Sequence, residues 1–117
     1  MPTPAVHLFV SQQILKDESL ASLDGRLRQQ AGHLLLGSVA PDAWLFGLAN
    51  RQQTHFLPVP MPADRQGARE LLDACPELRS PADLAPALSA FVAGYMTHLL
   101  TDEIWYHQVY NLSLIHI

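Results

Sequence analysis

The chain reads as a single all-α domain, and three features of the sequence carry that prediction. Apolar residues recur at three- and four-residue spacing in successive segments, no segment alternates with the period of a strand, and prolines punctuate the points where such segments begin and end. A length of 117 residues suffices for one modest core. With 49% hydrophobic and 15% charged residues, the chain is too apolar for disorder and too lightly charged for a coiled coil. It contains no internal repeat and no low-complexity stretch.

In chain order, Pro2 and Pro4 keep the start extended and lead into a first helix over Ala5 to Lys16, where Val6, Phe9, Val10, Ile14 and Leu15 form the apolar stripe and His7 sits near the start. A second helical segment over Ser19 to Leu36 carries Leu20, Leu23, Leu27, Leu34 and Leu35, with a break expected near Gly32. Gly37 to Gly47, centred on Pro41, reads as a turn or a short broken helix holding Asp42. Asn50 to Pro62 has three prolines and reads as an irregular loop holding His55. Asp64 is the expected N-cap of a helix to Leu78, in which Leu71, Leu72 and Leu78 face inward and Pro76 frays the end. Ser80 followed by Pro81 then opens a long central helix to Tyr110. Its Leu84, Leu88, Phe91, Val92, Tyr95, Leu99 and Trp105 spread over more than one face.

Charge and cysteine content exclude several functions. Seven Lys and Arg against eleven Asp and Glu give a net charge of -4, which argues against bulk nucleic-acid binding through a basic surface. The single cysteine, Cys75, rules out an intramolecular disulfide and any cysteine-based zinc cluster, so a metal here must use His, Asp or Glu. The N-terminus lacks the basic start and small-residue cleavage site of a secretory signal, and no apolar run approaches the 18 to 20 or so residues of a membrane span, so a cytoplasmic setting is expected.

The last six residues, Leu112 to Ile117 (LSLIHI), match one reading frame of the mosaic-end adapter used in transposase-based sequencing libraries. Residues 112–117 are therefore expected to be adapter translation, with 1–111 the N-terminal part of a domain truncated at the C-terminus, and His116 is set aside as a ligand.

Polar residues that interrupt the apolar pattern mark the candidate site. His98 and Asp102, within GYMTHLLTDEIW, lie four residues apart on the central helix and so share a face, offset by roughly 40°. An imidazole and a carboxylate so placed suit a shared zinc, and Asp102 in an apolar helix calls for a paired or metal-bound partner. Asp42, His55 and His7 add nitrogen and oxygen donors from separate elements, as in zinc sites of helical proteins. Each also has a structural explanation taken singly: His98 as a buried hydrogen-bonded histidine, Asp102 as a polar residue near a helix end, Asp42 as a cap after Pro41, and His55 as a solvated loop residue.

The segments LLLGSVAPDAW with Asp42, THFLP with His55, AGYMTHLLTDEIW with His98 and Asp102, and the N-terminal helix with His7 resemble, in order and spacing, the bacterial zinc-dependent phospholipase C family, which is related to the fungal zinc-dependent single-strand nucleases. The resemblance implies an all-α, phospholipase C/nuclease-like helical bundle with up to three zinc ions, at least one of them expected here. It implies that Asp42, His55, His98 and Asp102 bind one zinc, that Asp102 bridges to a second also bound by His7, and that Asp42 serves as general base. The implied substrate is a phospholipid or another phosphodiester, attacked at phosphorus by zinc-activated water.

Two departures are visible. Secreted members bind zinc through a processed N-terminal Trp, where this chain has Met1 and Pro2. His107 matches the next family histidine but follows Asp102 by five residues instead of six, and on a straight helix it faces roughly 180° from His98, so it joins the site only if the helix ends or bends before it. The alternative function is a non-catalytic helical module that binds metal, lipid or protein. An HD-type phosphohydrolase needs an adjacent His-Asp pair, and the chain has none. His33 lies outside every motif and is expected at the surface or core edge.

Overall fold

The computed structural model describes residues 3–17, 27–47, 50–58, 61–62 and 64–110, and among these every regular element is helical. Helix α1 spans Pro4–Lys16, α2 Ala31–Val39, α3 Arg51–His55, α4 Gly67–Ala74 and α5 Pro86–Trp105. A 3-10 segment, Ala40–Phe46, follows α2, and a π-helical turn, Tyr106–Tyr110, continues α5.

The most extensive contact joins α2 to α5. Two glycines make it close. A Cβ at Gly37 would overlap the backbone carbonyl of Phe91, and a Cβ at Gly94 would overlap that of Leu34, so only glycine lets the two backbones meet here. Leu34 and Leu99 are buried beside this crossing, with Ala90, Val92, Leu57, Leu71, Met61 and Tyr106 completing the core. Each buried leucine contributes about 2 kcal/mol from the apolar surface it removes from water. Because α5 lies at the centre, residues on its successive faces meet α1, α2 and α4.

Several boundaries differ from the sequence reading for identifiable reasons. α5 begins at Pro86, not Pro81, and Pro81–Asp83 forms only a 3-10 turn. Pro86 inside a continuous helix would lack its N–H and clash with the carbonyl four residues back, whereas at the first helical position it fits. The stretch expected to be a loop contains α3, because Asn50 accepts from the Gln53 backbone N–H while the Gln53 side chain accepts from the Asn50 N–H. Phe56, with φ 64°, then closes α3 in a left-handed cap. α2 runs through Gly37, so the expected turn is a helix end followed by the 3-10 segment. α4 starts at Gly67 with Gln66, not Asp64, preceding it.

On α1 the apolar stripe is split: Val6 and Phe9 are exposed and Val10, Ile14 and Leu15 half-buried, while His7 and Ser11 are fully buried. Leu88, Leu100, Ile104, Trp105 and Val109 are also exposed. The expectations for Leu20, Leu23 and residues 112–117 fall outside the described residues.

Candidate metal centre

Five side chains from four elements converge: His7 from α1, Asp42 from the 3-10 segment, His55 from α3, and His98 and Asp102 from α5. His98 Nε2 lies 3.2 Å from His55 Nε2, 3.1 Å from Asp102 Oδ2 and 3.4 Å from Asp42 Oδ1. His55 Nε2 lies 3.2 Å from Asp102 Oδ2 and 3.6 Å from Asp42 Oδ1. Each of the two Nε2 atoms thus lies 3.1 to 3.6 Å from the other and from one oxygen of each carboxylate. A tetrahedral zinc with bonds of about 2.0 to 2.1 Å requires edges of about 3.3 Å.

The local chain fixes which ring nitrogens face the centre. His98 Nδ1 donates to the Ser38 carbonyl at 2.6 Å, a contact that the Gly37/Gly94 crossing makes reachable. His55 Nδ1 donates to the Arg51 carbonyl at 3.2 Å and to Thr54 Oγ1 at 2.9 Å, while the Thr54 hydroxyl donates to that same carbonyl. With both Nδ1 atoms committed as donors to the backbone, the two Nε2 atoms point lone pairs at each other. A cation between them, either a proton or a metal ion, turns that repulsion into attraction. Backbone carbonyls behind ligating imidazoles also orient the rings and raise their basicity.

Asp102 uses both oxygens: Oδ2 faces His55 and His98, and Oδ1 lies 3.0 Å from His7 Nε2. The His7 contact is not aligned as a hydrogen bond, so both His7 ring nitrogens and Asp102 Oδ1 are buried without a hydrogen-bond partner. His7 stacks on His98 with ring centroids 3.5 Å apart and planes 13° from parallel. Such orphaned polar atoms are costly unless something binds them, and here the unpaired atoms are all of the kind zinc takes. His7, Asp42 and His98 form one group able to hold a metal, and His55, His98 and Asp102 form another.

Electrostatics agree with a site built for positive charge. Burial alone favours a neutral His98, but the hydrogen bonds to Asp102 and Asp42 and the charge of Asp102 outweigh it and raise the ring to about 9 from 6.5. Burial likewise opposes protonation of His55, yet Asp102 and Asp42 raise it. Burial would push the carboxyls of Asp42 and Asp102 up, and their histidine partners instead hold both well below the usual carboxylate range. Both carboxylates are therefore ionised and ready to coordinate.

His107 is not brought into this cluster. The winding changes from α to π at Tyr106, and the His107 ring packs against Tyr106 at 5.2 Å while its charge acts on Glu103. His33 is exposed. Sequence reasoning missed the Ser38 carbonyl, which as a backbone group leaves no residue-type signature. It also missed Glu103, which is buried and accepts from the Gly67 N–H, tying the start of α4 to the ligand-bearing turn of α5. A buried acid next to Asp102 in LLTDEIW was the available signal.

The fold and this donor set define a helical metalloprotein with a His/Asp centre suited to zinc. A family model for zinc dependent phospholipase C matches residues 6–116, which include every residue of the cluster, and the chain belongs to that family. No curated protein and no solved structure matches it. Zinc is accordingly the cofactor, and no described helix is long and apolar enough to cross a membrane.

Proposed function

We propose that the protein is a zinc-dependent phosphodiester hydrolase of phospholipase C type, in which Asp42, His55, His98 and Asp102 would hold one zinc and His7 with Asp102 would hold a second. The separations of 3.1 to 3.6 Å between the His55 and His98 Nε2 atoms and from these to one oxygen each of Asp42 and Asp102 carry this proposal. When bound, zinc lowers the pKa of water towards 7 and neutralises charge on phosphoryl oxygens. Asp42 meets both histidines through Oδ1 and is the most accessible of the donors, its side chain 14% exposed against 4% or less for the others. Its Oδ2 makes neither contact, and we assign it to orient the attacking water and take its proton. The water oxygen bonds to phosphorus as the phosphorus–ester oxygen bond breaks, the proton taken by Asp42 passes to the departing oxygen so that it leaves as an alcohol, and His55 and His98 hold their Nε2 atoms fixed through their backbone hydrogen bonds.

A phospholipid headgroup ester is the substrate proposed from the family, and a cytoplasmic setting, in which Cys75 stays a free thiol, belongs to the same proposal. The test is zinc content measured beside turnover of a chromogenic phosphodiester. Stoichiometric zinc with turnover is expected; stoichiometric zinc without turnover in the full-length protein would sink the hydrolase in favour of a metal-binding module.

A further inference from the structure

A buried guanidinium nitrogen ordinarily meets an acceptor, because an unpaired buried donor on a charged group costs more than a lost neutral hydrogen bond. Arg51 departs from this: its Nη2 is buried and has no hydrogen-bond partner. Other described arginines are satisfied locally. Arg28 donates to the Leu15 and Asp17 carbonyls, Arg65 pairs with Glu70, and Arg79 pairs with Asp73. Arg69 is exposed to water.

The position of Arg51 relates this unpaired nitrogen to the metal centre. Arg51 opens α3 and His55 closes it four residues later, so the two side chains lie on one face, a turn apart. α3 packs against the 3-10 segment that carries Asp42. The positive charge of Arg51 also acts on His55, opposing its protonation. An arginine with a free, desolvated N–H beside a site whose donors bind zinc lacks one thing, an anion.

We infer that Arg51 binds the phosphoryl group of the substrate, donating from its guanidinium to a non-bridging phosphate oxygen; this rests on the phosphodiesterase assignment above. The planar guanidinium matches the geometry of phosphate oxygens. A donor held in place where negative charge grows stabilises the transition state more than the ground state. Lysine, a point charge on a flexible stem, replaces it only in part.

The test uses the zinc-loaded full chain with inorganic phosphate as the probe, followed by calorimetry, in wild type, Arg51→Met and Arg51→Lys, with zinc per chain measured for each. All three are expected to hold the same zinc. Phosphate affinity should fall by about 10- to 100-fold in Arg51→Met, the loss of one charge-assisted hydrogen bond, and by less in Arg51→Lys. On a chromogenic phosphodiester, kcat/KM of Arg51→Met should fall by about 100-fold and recover in part with added guanidinium. Equal phosphate affinity in Arg51→Met and wild type at equal zinc content overturns the inference, as does a zinc-loaded wild type that binds no phosphate. Phosphate binding that depends on Arg51 without turnover would refute hydrolysis and leave Arg51 as an oxyanion-binding residue.

Discussion

α1 and α5 are both largely apolar helices, yet they bury different things. α5 buries Ala90, Val92 and Leu99 along with His98, Asp102 and Glu103, whereas α1 turns Val6 and Phe9 outward and buries His7 and Ser11. α5 is held by close packing on α2 through Gly94 and Gly37, so its ligands ride on a scaffold that apolar contacts already fix. The inward face of α1 instead carries the His7 ring stacked on His98, with unsatisfied nitrogens next to Asp102. Hydrophobic burial positions the α5 half of the centre, and α1, which packs on α2 and α5, adds the His7 ring.

The comparison breaks most directly at the residue both helices share. Asp102→Asn removes the negative charge that faces His7, His55 and His98, and it should cost about 3 to 5 kcal/mol in denaturant unfolding, because breaking a buried ionic network strands its partners. An unchanged midpoint would show that the cluster does not hold α1 to α5.

Stripping zinc gives the next largest effect. In the metal-free protein a proton takes the place of the ion at His98, whose pKa rises from 6.5 to about 9. A raised folded-state pKa contributes stability that is fully present below pH 6.5 and lost as pH climbs through 9. The chelated protein should therefore weaken by about 3 kcal/mol across that window while the zinc-loaded protein does not. Hydrogen exchange should locate the loosening in α1 before the α2–α5 contact.

Gly94→Ala tests the scaffold side. The added methyl pushes on the Leu34 backbone, costs about 1 to 3 kcal/mol, and weakens zinc binding by drawing the Ser38 carbonyl from His98. The smallest effect belongs to Ser11→Ala. Ser11 Oγ is buried and unpaired, so its removal should change stability by less than about 1 kcal/mol, with a stabilising sign.

This difference also explains what was legible in the sequence. The all-α class and the pairing of His98 with Asp102 follow from spacing alone, because α5 obeys the 3.6-residue period on a packed face. α1 is harder to read, since its most buried positions are His7 and Ser11 while Val6 and Phe9 of its apolar stripe are exposed. The start of α5 was misplaced because Ser80-Pro81 and Ala85-Pro86 offer competing entries, and only the second leaves no proline in the helix interior. α3 was legible in Asn50 and Gln53, a capping box obscured by the prolines after it. Spacing and family pattern named five of the converging donors. Their support, the Ser38 and Arg51 carbonyls, comes from backbone geometry and leaves no residue-type trace.

The most direct test of the centre is zinc per chain after exhaustive dialysis, in wild type, His98→Ala, Asp102→Ala and His33→Ala. Wild type and His33→Ala should retain zinc equally, since His33 is exposed, and the other two should lose it. Equal retention in all four would contradict a centre built on His98 and Asp102.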